Sequence, residues 1–450
     1  MPSLRNIPQP GLFWEYASNS PHKQPMWTTE PCIDTIRNLA IEHLGIDGEC
    51  KVTPMEEKRD DIRSKKLFRI ECERGSFIFK AMLPLAPQSK TLSEVATLSF
   101  VQGKTSIPVP KVIAYDANLN NSLGFEWVLL GGVDNFHRRL DDSWRELSRL
   151  QKHQLIGQIA DYVVQLMQVE LSGIGSVFRY NLRSHSSEAP EDFTYVTGEV
   201  VSPEFFRENR IQLALHRGPY QTSSEYIAAH MEFLMHENAA MRTSSNAAVQ
   251  AQATRTLRIA HKINMVVEKL FPSFDAEPTF IKPNLDKCNI YIDASDSLAG
   301  ILDRSSVTAV PLWAFCDTPC FLDGAALNPY LELVIELLLP VEERRQVERV
   351  EEHENEQLRS LFVQQMRELA PKWAASYEKD NLERDVLVAV DYADEGMYGR
   401  RVMGWLNCVL EGRVPRRGLA AAISNPFPRN QEDTEAYQRG EELVEAADVE

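Results

Sequence analysis

Apolar and polar positions alternate in the first third of the chain, in the manner of β-strands. Residues 67–72 and 76–82 show this alternation on either side of a Glu-Arg-Gly turn. Residues 127–130 form a short apolar run that ends at Gly131 and Gly132, a break that would suit a hinge. The pattern predicts a small antiparallel sheet followed by a change of structure.

Helical periodicity appears twice among these strands and dominates after residue 141. Residues 33–44 place their apolar side chains on one face, and a helix is predicted at 91–101, where Thr91 and Glu94 have the spacing of a capping box. Later helices are predicted at 155–169, 223–236, 251–270, 329–339 and 341–369. Short apolar strands at 279–281, 290–292 and 300–302 interrupt them. The chain therefore reads as an α+β protein with a larger helical part.

Composition narrows the function classes. A formal net charge of −17 and a sequence pI near 5.2 argue against a nucleic-acid-binding protein, because such a protein needs a net basic patch. The longest apolar run, near 331–340, contains two glutamates and is too short for a membrane span. Only Arg5 is basic before Glu15, and no apolar signal region precedes residue 30. We therefore expect a cytoplasmic protein without membrane or nucleic-acid partners.

Seven cysteines are scattered along the chain without a Cys-x-x-Cys motif. Only Cys316 and Cys320 lie close together, and no histidine accompanies them, so the pattern does not favour zinc. Reduced thiols are the simplest interpretation.

The segment 279–304 carries the candidate chemistry. A polar loop, 282–289, reads Lys-Pro-Asn-Leu-Asp-Lys-Cys-Asn and ends at Asn289, and Asp303 follows an Ile-Leu strand. Amide and carboxylate oxygens are suitable ligands for Mg²⁺. Without further context, the same residues would be a turn asparagine and a strand-end aspartate that bind the backbone.

Several segments together carry a resemblance to a known family. They are Leu-Phe-Trp-Glu-Tyr at 12–16, Ser-Glu-Val-Ala-Thr at 93–97, Ile-Pro-Val-Pro-Lys-Val at 107–112, residues 198–203, Arg-Gly-Pro-Tyr at 217–220, and Asp303 followed by Pro-Leu at 311–312. They resemble the aminoglycoside phosphotransferase and choline kinase-like superfamily, in particular its fungal branch of altered-inheritance-of-mitochondria proteins. The resemblance runs from about residue 12 to residue 410 and implies a bilobal, protein kinase-like α+β fold.

The resemblance also implies ATP and Mg²⁺ as cofactors and assigns roles to residues. Lys80 is similar to the strand lysine that contacts phosphates, and Glu94 to its helical partner; without the resemblance, Lys80 would be an exposed strand lysine. The remaining assignments are Leu130 and Gly131 in an adenine-binding hinge, and Asn289 and Asp303 as metal ligands. The implied domains are an arm at 1–30, an N-lobe at 31–132, a helical C-lobe at 133–415 and an acidic tail at 416–450.

The catalytic loop departs from the family pattern. The family's catalytic aspartate is replaced by Asn284, both loop histidines are absent, and Arg304 stands where a tryptophan usually follows the metal aspartate. The expected phosphate-covering turn, 58–66, has no glycine. Asp286 is either a substitute base or a solvated loop carboxylate. Two functions stay open: a pseudokinase-type binding protein, which the sequence favours, or an atypical ATP-dependent phosphotransferase acting on a small-molecule hydroxyl or amine.

Overall fold

The computed structural model describes most of the chain. The described residues are 9–16, 23–55, 64–181, 193–272, 276–283, 285–302, 306–322, 341–379, 381–394, 398–415 and 418–424. Several predicted features lie outside the described residues: the helix at 329–339 and the residues Asn284, Asp303 and Arg304. Most of the predicted tail and most of the charged turn at 58–66 lie outside them as well.

Fifteen strands and thirteen α-helices have defined bounds in these residues. The strands are β1 Leu12–Tyr16, β2 Lys23–Trp27, β3 Cys50–Pro54, β4 Lys65–Cys72, β5 Gly75–Met82, β6 Lys111–Asp116, β7 Glu126–Gly131, β8 Arg138–Arg139, β9 Leu171–Ser172, β10 Val177–Asn181, β11 Phe193–Thr197, β12 Pro278–Ile281, β13 Ile290–Ile292, β14 Leu298–Ile301 and β15 Ala309–Pro311. The helices are α1 Ile33–Leu44, α2 Ser89–Lys104, α3 Leu140–Ser143, α4 Arg149–Met167, α5 Pro203–Phe206, α6 Ser223–Met241, α7 Ala247–Leu270, α8 Leu312–Phe315, α9 Val341–Leu369, α10 Pro371–Lys379, α11 Asn381–Asp391, α12 Gly399–Leu410 and α13 Leu419–Ser424.

The chain divides into two compact units. One comprises Met1–Pro219 with Glu277–Ala375, and the other Tyr220–Ala276 with Ser376–Glu450. The first unit contains all the strands, and the described elements of the second are helices. The α+β class predicted from the sequence, with a small antiparallel sheet and a larger helical part, is therefore confirmed. In the described residues, no helix combines the length and apolar character needed to cross a membrane.

The main sheet is antiparallel, with strands in the order β3-β4-β5-β7-β6. Side chains alternate between its faces, so each strand contributes to two apolar layers. Phe79 and Ala81 of β5 pack with Ile36 and Ala40 of α1 on one face. We call the other face the α2 face. On it, the residues that pack against Val95 and Leu98 of α2 are Ile78, Met82, Val128 and Leu130. Both faces of the central strands are thus buried.

Helix α1 has the bounds predicted for it, and its C-terminal end is marked in the sequence. Its buried residues Ile36, Ala40 and Leu44 share one face. It ends at Gly45, whose φ of 58° lies in the left-handed region that glycine adopts without steric cost, and the Gly45 N–H donates to Ile41 O.

Helix α2 differs from its prediction. It begins at Ser89, and the side chain of its N-cap residue, Gln88, does not cap it. The predicted capping box of Thr91 and Glu94 is wrong because both side chains are buried against the sheet and bind partners there: the Thr91 hydroxyl donates to Glu126, and Glu94 pairs with Lys80. Tertiary contacts have replaced the local ones.

In the N-terminal arm, the described residues form the two strands of a hairpin. Strands β1 and β2 pair antiparallel, with Leu12 opposite Trp27. The Trp27 ring lies 4.9 Å from the Phe125 ring, centroid to centroid, which anchors the hairpin beside the main sheet.

The second unit is built around α7. Its buried residues include Ile259, Ile263 and Val266, which share one helical face. At its C-terminal end the Lys269 ammonium donates to Val409 O of α12 at 2.7 Å. This helix extends the predicted 251–270 by one turn at its N-terminus, where the Asn246 side chain accepts from the Ala248 N–H.

Candidate nucleotide-binding site

A buried ion pair lies at the centre of the main sheet. Lys80 Nζ is 2.6 Å from Glu94 Oε1, and the two residues are 2% and 1% exposed. Lys80 stands opposite Val128 of β7 in the register, with Ile78 and Met82 two residues to either side. Because alternate residues of a strand share a face, Lys80 points to the α2 face, where Glu94 meets it. The pairing that the resemblance implied is therefore present.

This ion pair is not an arrangement that maximises stability. Removing two charges from water costs several kcal/mol per ion, and the mutual attraction repays this only when the remaining polar atoms are also satisfied. In the described structure, the second carboxylate oxygen, Glu94 Oε2, is buried without a hydrogen-bond partner. An incompletely satisfied buried charge suits a site that completes its contacts with a ligand.

A second buried carboxylate holds the N-terminus of α2. The backbone N–H of Gln88 donates to Glu126 Oε1 at 2.8 Å, and the Thr91 hydroxyl donates to Glu126 Oε2. The Ser89 hydroxyl donates to Glu199, so two carboxylates approach the first turn of the helix. Negative charge at a helix N-terminus is favourable. Glu126 thus caps the N-terminus of α2, which is the role that the sequence assigned to the capping box.

Sequence reasoning missed Glu126. The available signal was a single carboxylate at the start of a run, 126–131, that is otherwise entirely apolar or glycine. Burial raises its pKa to about 7, although the hydrogen bonds from Thr91 and Gln88 and the nearby Lys90 act in the opposite direction, and Asp116 reinforces the rise.

The raised pKa of Glu126 predicts a pH-dependent loss of stability. The folded protein holds the Glu126 proton more tightly than the unfolded chain does. The resulting contribution to stability is therefore fully present below about pH 4.5 and is lost as the pH rises through about 7. Glu126→Gln stays neutral at every pH. We therefore expect its free energy of unfolding, relative to that of the wild type, to increase by about 3 kcal/mol as the pH is raised from 4.5 to 8. Urea unfolding of both proteins at several pH values measures this. Parallel pH profiles for the two would contradict it.

The predicted hinge residues lie at the end of β7. Leu130 is fully buried and packs on the α2 face, two residues beyond the position opposite Lys80. Gly131 pairs with Lys111 of β6, and a Cβ atom there would meet Ile113 at 3.0 Å. Gly132 follows with a φ of 71°. Packing and the turn of the chain thus explain both glycines, and the backbone leaves the sheet at the predicted position.

The loop before β13 places two predicted site residues. The Asn289 N–H donates to Asp286 O at 2.9 Å, and the Cys288 N–H donates to Asp286 Oδ1 at 3.1 Å. Asp286 therefore shapes the loop through its side chain, in the manner of an Asx turn. Asn289 is buried, and its side-chain oxygen accepts a long contact from Cys288 Sγ at 3.6 Å.

The structure connects this loop to the residue preceding Asp303. Leu302 N donates to Asn289 O at 2.8 Å, so the position just before Asp303 is fixed beside Asn289. Asn284 and Asp303 themselves lie outside the described residues. Among the residues that the structure does describe, no cluster of three or more His, Cys, Asp or Glu side chains could hold a metal ion.

One apolar cluster joins the two halves of the candidate site. Leu302 and Tyr291, neighbours of the predicted metal ligands, pack in the same buried cluster as Ile78, Val95 and Val128, which flank the Lys80–Glu94 pair. Residues more than 200 positions apart in the sequence are thereby brought to the α2 face. Lys80, Glu94 and the segment around Asn289 thus belong to one region of the first unit.

Comparison with known proteins gives partial matches. No family model matches the chain. A subtelomeric hrmA-associated cluster protein of Aspergillus fumigatus is 27% identical over 161 residues, which are 35% of this chain and 31% of that protein. Altered inheritance of mitochondria protein 9 of Eremothecium gossypii is 22% identical over 333 residues, 64% of this chain and 54% of that protein. The chain thus spans about half, or less, of the length of these curated relatives.

Solved structures match over a larger share of the chain. An aminoglycoside phosphotransferase, solved in a ternary complex with AMP-PNP and hygromycin B, is 13% identical with a TM-score of 0.41. The match covers 83% of this chain and 98% of that one.

The comparisons correct the expected location. Relatives in Yarrowia lipolytica, Candida albicans and Eremothecium gossypii carry the word mitochondrial in their names, which contradicts the cytoplasmic prediction. That prediction rested on the scarcity of basic residues before Glu15, and such a count does not decide a compartment. The resemblance itself is confirmed: the chain is similar in sequence to the fungal altered inheritance of mitochondria proteins.

Proposed function

We propose that this protein binds ATP with Mg²⁺ on the α2 face and transfers its phosphoryl group poorly or not at all. The observation that carries the proposal is the Lys80–Glu94 pair, buried and 2.6 Å apart, with one carboxylate oxygen unsatisfied. Lys80 is the group that would contact the phosphates, and Glu94 would hold its ammonium in position.

A purely structural role explains the Lys80–Glu94 pair less well than a role in ligand binding. Buried ion pairs are often replaceable by apolar residues without loss of stability, so they are weak stabilising elements. Here the pair stands in a layer of Ile78, Met82 and Val95, where an apolar residue at either position would have packed without a desolvation cost. Retaining two charges there favours a functional role.

The remaining groups fit a nucleotide bound at the same place. The backbone that leaves the sheet after Leu130 and Gly131 would meet the adenine, since the peptide groups beyond a strand end offer both donors and acceptors. Asn289 would supply an amide oxygen to the metal, and Asp303, one residue beyond Leu302, a carboxylate. A Mg²⁺ held by these residues would neutralise the negative charge of the phosphates.

Asn284 limits the chemistry. The family loop has a carboxylate at this position to accept the proton of the acceptor hydroxyl, and an asparagine amide cannot accept it. General-base assistance contributes about 10²–10⁴ in rate. Asp286 is a weak substitute because its Oδ1 already accepts the Cys288 N–H and so helps to form the loop. Binding without efficient transfer is the function that these residues support.

Thermal stability in the presence of nucleotide tests this proposal. A ligand at about 100 times its Kd adds about 2.7 kcal/mol to the stability of the folded state. Millimolar ATP with Mg²⁺ should therefore raise the melting temperature, and ATP with a chelator should raise it less. In Asp303→Ala the two conditions should become equal. No shift with any of ATP, ADP or AMP-PNP at several millimolar would contradict nucleotide binding.

A further inference from the structure

The strand register places two cysteines opposite each other in the main sheet. Cys50 begins β3 and Cys72 ends β4, and they are directly paired. Both side chains belong to the apolar layer beneath α1, where Cys50 is buried and Cys72 is half-buried. All seven cysteines lie in the described residues, and these two are the pair that the sheet holds side by side.

The hydrogen-bond pattern shows which kind of pair this is. Met55 N donates to Leu67 O, just beyond the Pro54–Phe68 pair, so positions 55 and 67 form a hydrogen-bonded pair. Hydrogen-bonded and non-hydrogen-bonded pairs alternate along antiparallel strands. Counting from 55 opposite 67, the pair of 50 and 72 is non-hydrogen-bonded.

This geometry is compatible with a disulfide. In non-hydrogen-bonded pairs the Cα atoms lie about 4.5 Å apart and the side chains are at their closest. Disulfides span Cα separations between about 4.4 and 6.8 Å, with most near the middle of that range. A bond between Cys50 and Cys72 would therefore be possible without moving the strands, at the strained end of the range. Strained disulfides are the more easily reduced ones.

We propose that Cys50 and Cys72 are a redox modification site, forming a reversible cross-strand disulfide when the protein meets a small-molecule disulfide such as oxidised glutathione. This site goes beyond nucleotide binding and does not depend on it. It lies on the α1 side of the sheet, whereas Lys80 faces the α2 side.

The reaction balances as two thiol–disulfide exchanges. The more exposed thiol, Cys72, loses its proton and attacks one sulfur of oxidised glutathione, forming a mixed disulfide. The glutathione disulfide bond breaks, and the departing thiolate takes up a proton to give one glutathione thiol. Cys50 then loses its proton, attacks the Cys72 sulfur and releases the second glutathione thiol. Burial raises the pKa of Cys50, with the neighbouring Cys72 contributing to the rise, so Cys50 suits the resolving role in which the partner is already beside it.

Peptide mapping of the folded protein tests the site. The protein is equilibrated with glutathione and oxidised glutathione at graded ratios, alkylated and digested with trypsin. The disulfide would join the peptides 38–51 and 70–74, because Lys51 and Arg69 are cleaved between the two cysteines. We expect this cross-linked pair to become the main species containing Cys72 as the oxidised fraction rises, and to disappear when reduced glutathione is restored.

Two variants sharpen the result. Cys408→Ser removes a partly exposed thiol in the other unit and should leave the cross-linked pair unchanged. Cys72→Ser should abolish it and leave Cys50 alkylated only after denaturation, because that thiol is buried. The proposal is overturned if wild-type Cys72 ends as a stable mixed disulfide with glutathione, or if the 38–51 and 70–74 peptides are joined only after unfolding in urea.

Discussion

Replacing Lys80 by methionine is expected to lower the free energy of unfolding by about 3–5 kcal/mol. The substitution keeps the volume of the side chain but leaves the Glu94 carboxylate buried without its counter-ion, and breaking a buried pair from one side costs that much. Glu94 is 1% exposed, so water cannot take the place of the ammonium. Urea unfolding at neutral pH measures the loss directly.

Two further variants separate the pair from the general effect of losing a lysine. Lys51 of β3 pairs with Glu71 across the same sheet at 3.2 Å, but both side chains are largely exposed, so Lys51→Met should cost less than about 1 kcal/mol. The double variant Lys80→Met/Glu94→Leu replaces both charges by apolar groups and should recover most of the stability. A double variant as unstable as the single one would show that these side chains do not act as a buried pair.

Replacing Asn284 by aspartate is expected to raise ATP hydrolysis at least severalfold over a wild type near background. The change is nearly isosteric and places a carboxylate at the position where, in the proposal, the loop lacks a general base. General-base assistance sets the upper limit of the gain at about 10²–10⁴, or about 3–5 kcal/mol of activation free energy. Release of inorganic phosphate to water gives a measurement that needs no known acceptor.

Asp286→Asn is the matched control for this experiment. It removes the carboxylate but keeps an oxygen that can accept the Cys288 N–H, so the loop should keep its shape. The gain from Asn284→Asp should persist when Asp286→Asn is added to it. If the wild type instead turns over ATP rapidly and Asp286→Asn abolishes that turnover, Asp286 is the base. The protein is then a working phosphotransferase, and the proposed loss of catalysis is wrong.

Local sequence signals predicted the fold wherever local interactions decide it. The bounds of α1 and α9 follow the sequence because the amphipathic faces and the glycine after α1 define them. The start of α2 was wrong because a carboxylate from β7, 35 residues away from Thr91, takes over the capping role. Propensity cannot anticipate a partner supplied by another element of the fold.

The candidate site, too, was predicted from the sequence only where local signals decide the structure. Periodicity places Lys80 on a strand and Glu94 on a helix, but only the resemblance to a family paired them, and the structure then brought them within 2.6 Å. Glu126 was missed because its importance lies in burial and in contacts with Gln88 and Thr91, which no short motif encodes. The roles of Leu130, Gly131, Asn289 and Asp303 toward a ligand stay predictions.

Isothermal titration of Mg²⁺-ATP into the wild type and into Lys80→Met/Glu94→Leu tests the central claim most directly. The double variant should remain folded, so a change in binding reports on the site rather than on stability. We predict saturable one-to-one binding to the wild type and a loss of at least tenfold in affinity, about 1.4 kcal/mol, in the double variant. Equal affinities of the two proteins, or no heat of binding to the wild type at millimolar nucleotide, would contradict the proposal that Lys80 and Glu94 form a nucleotide site.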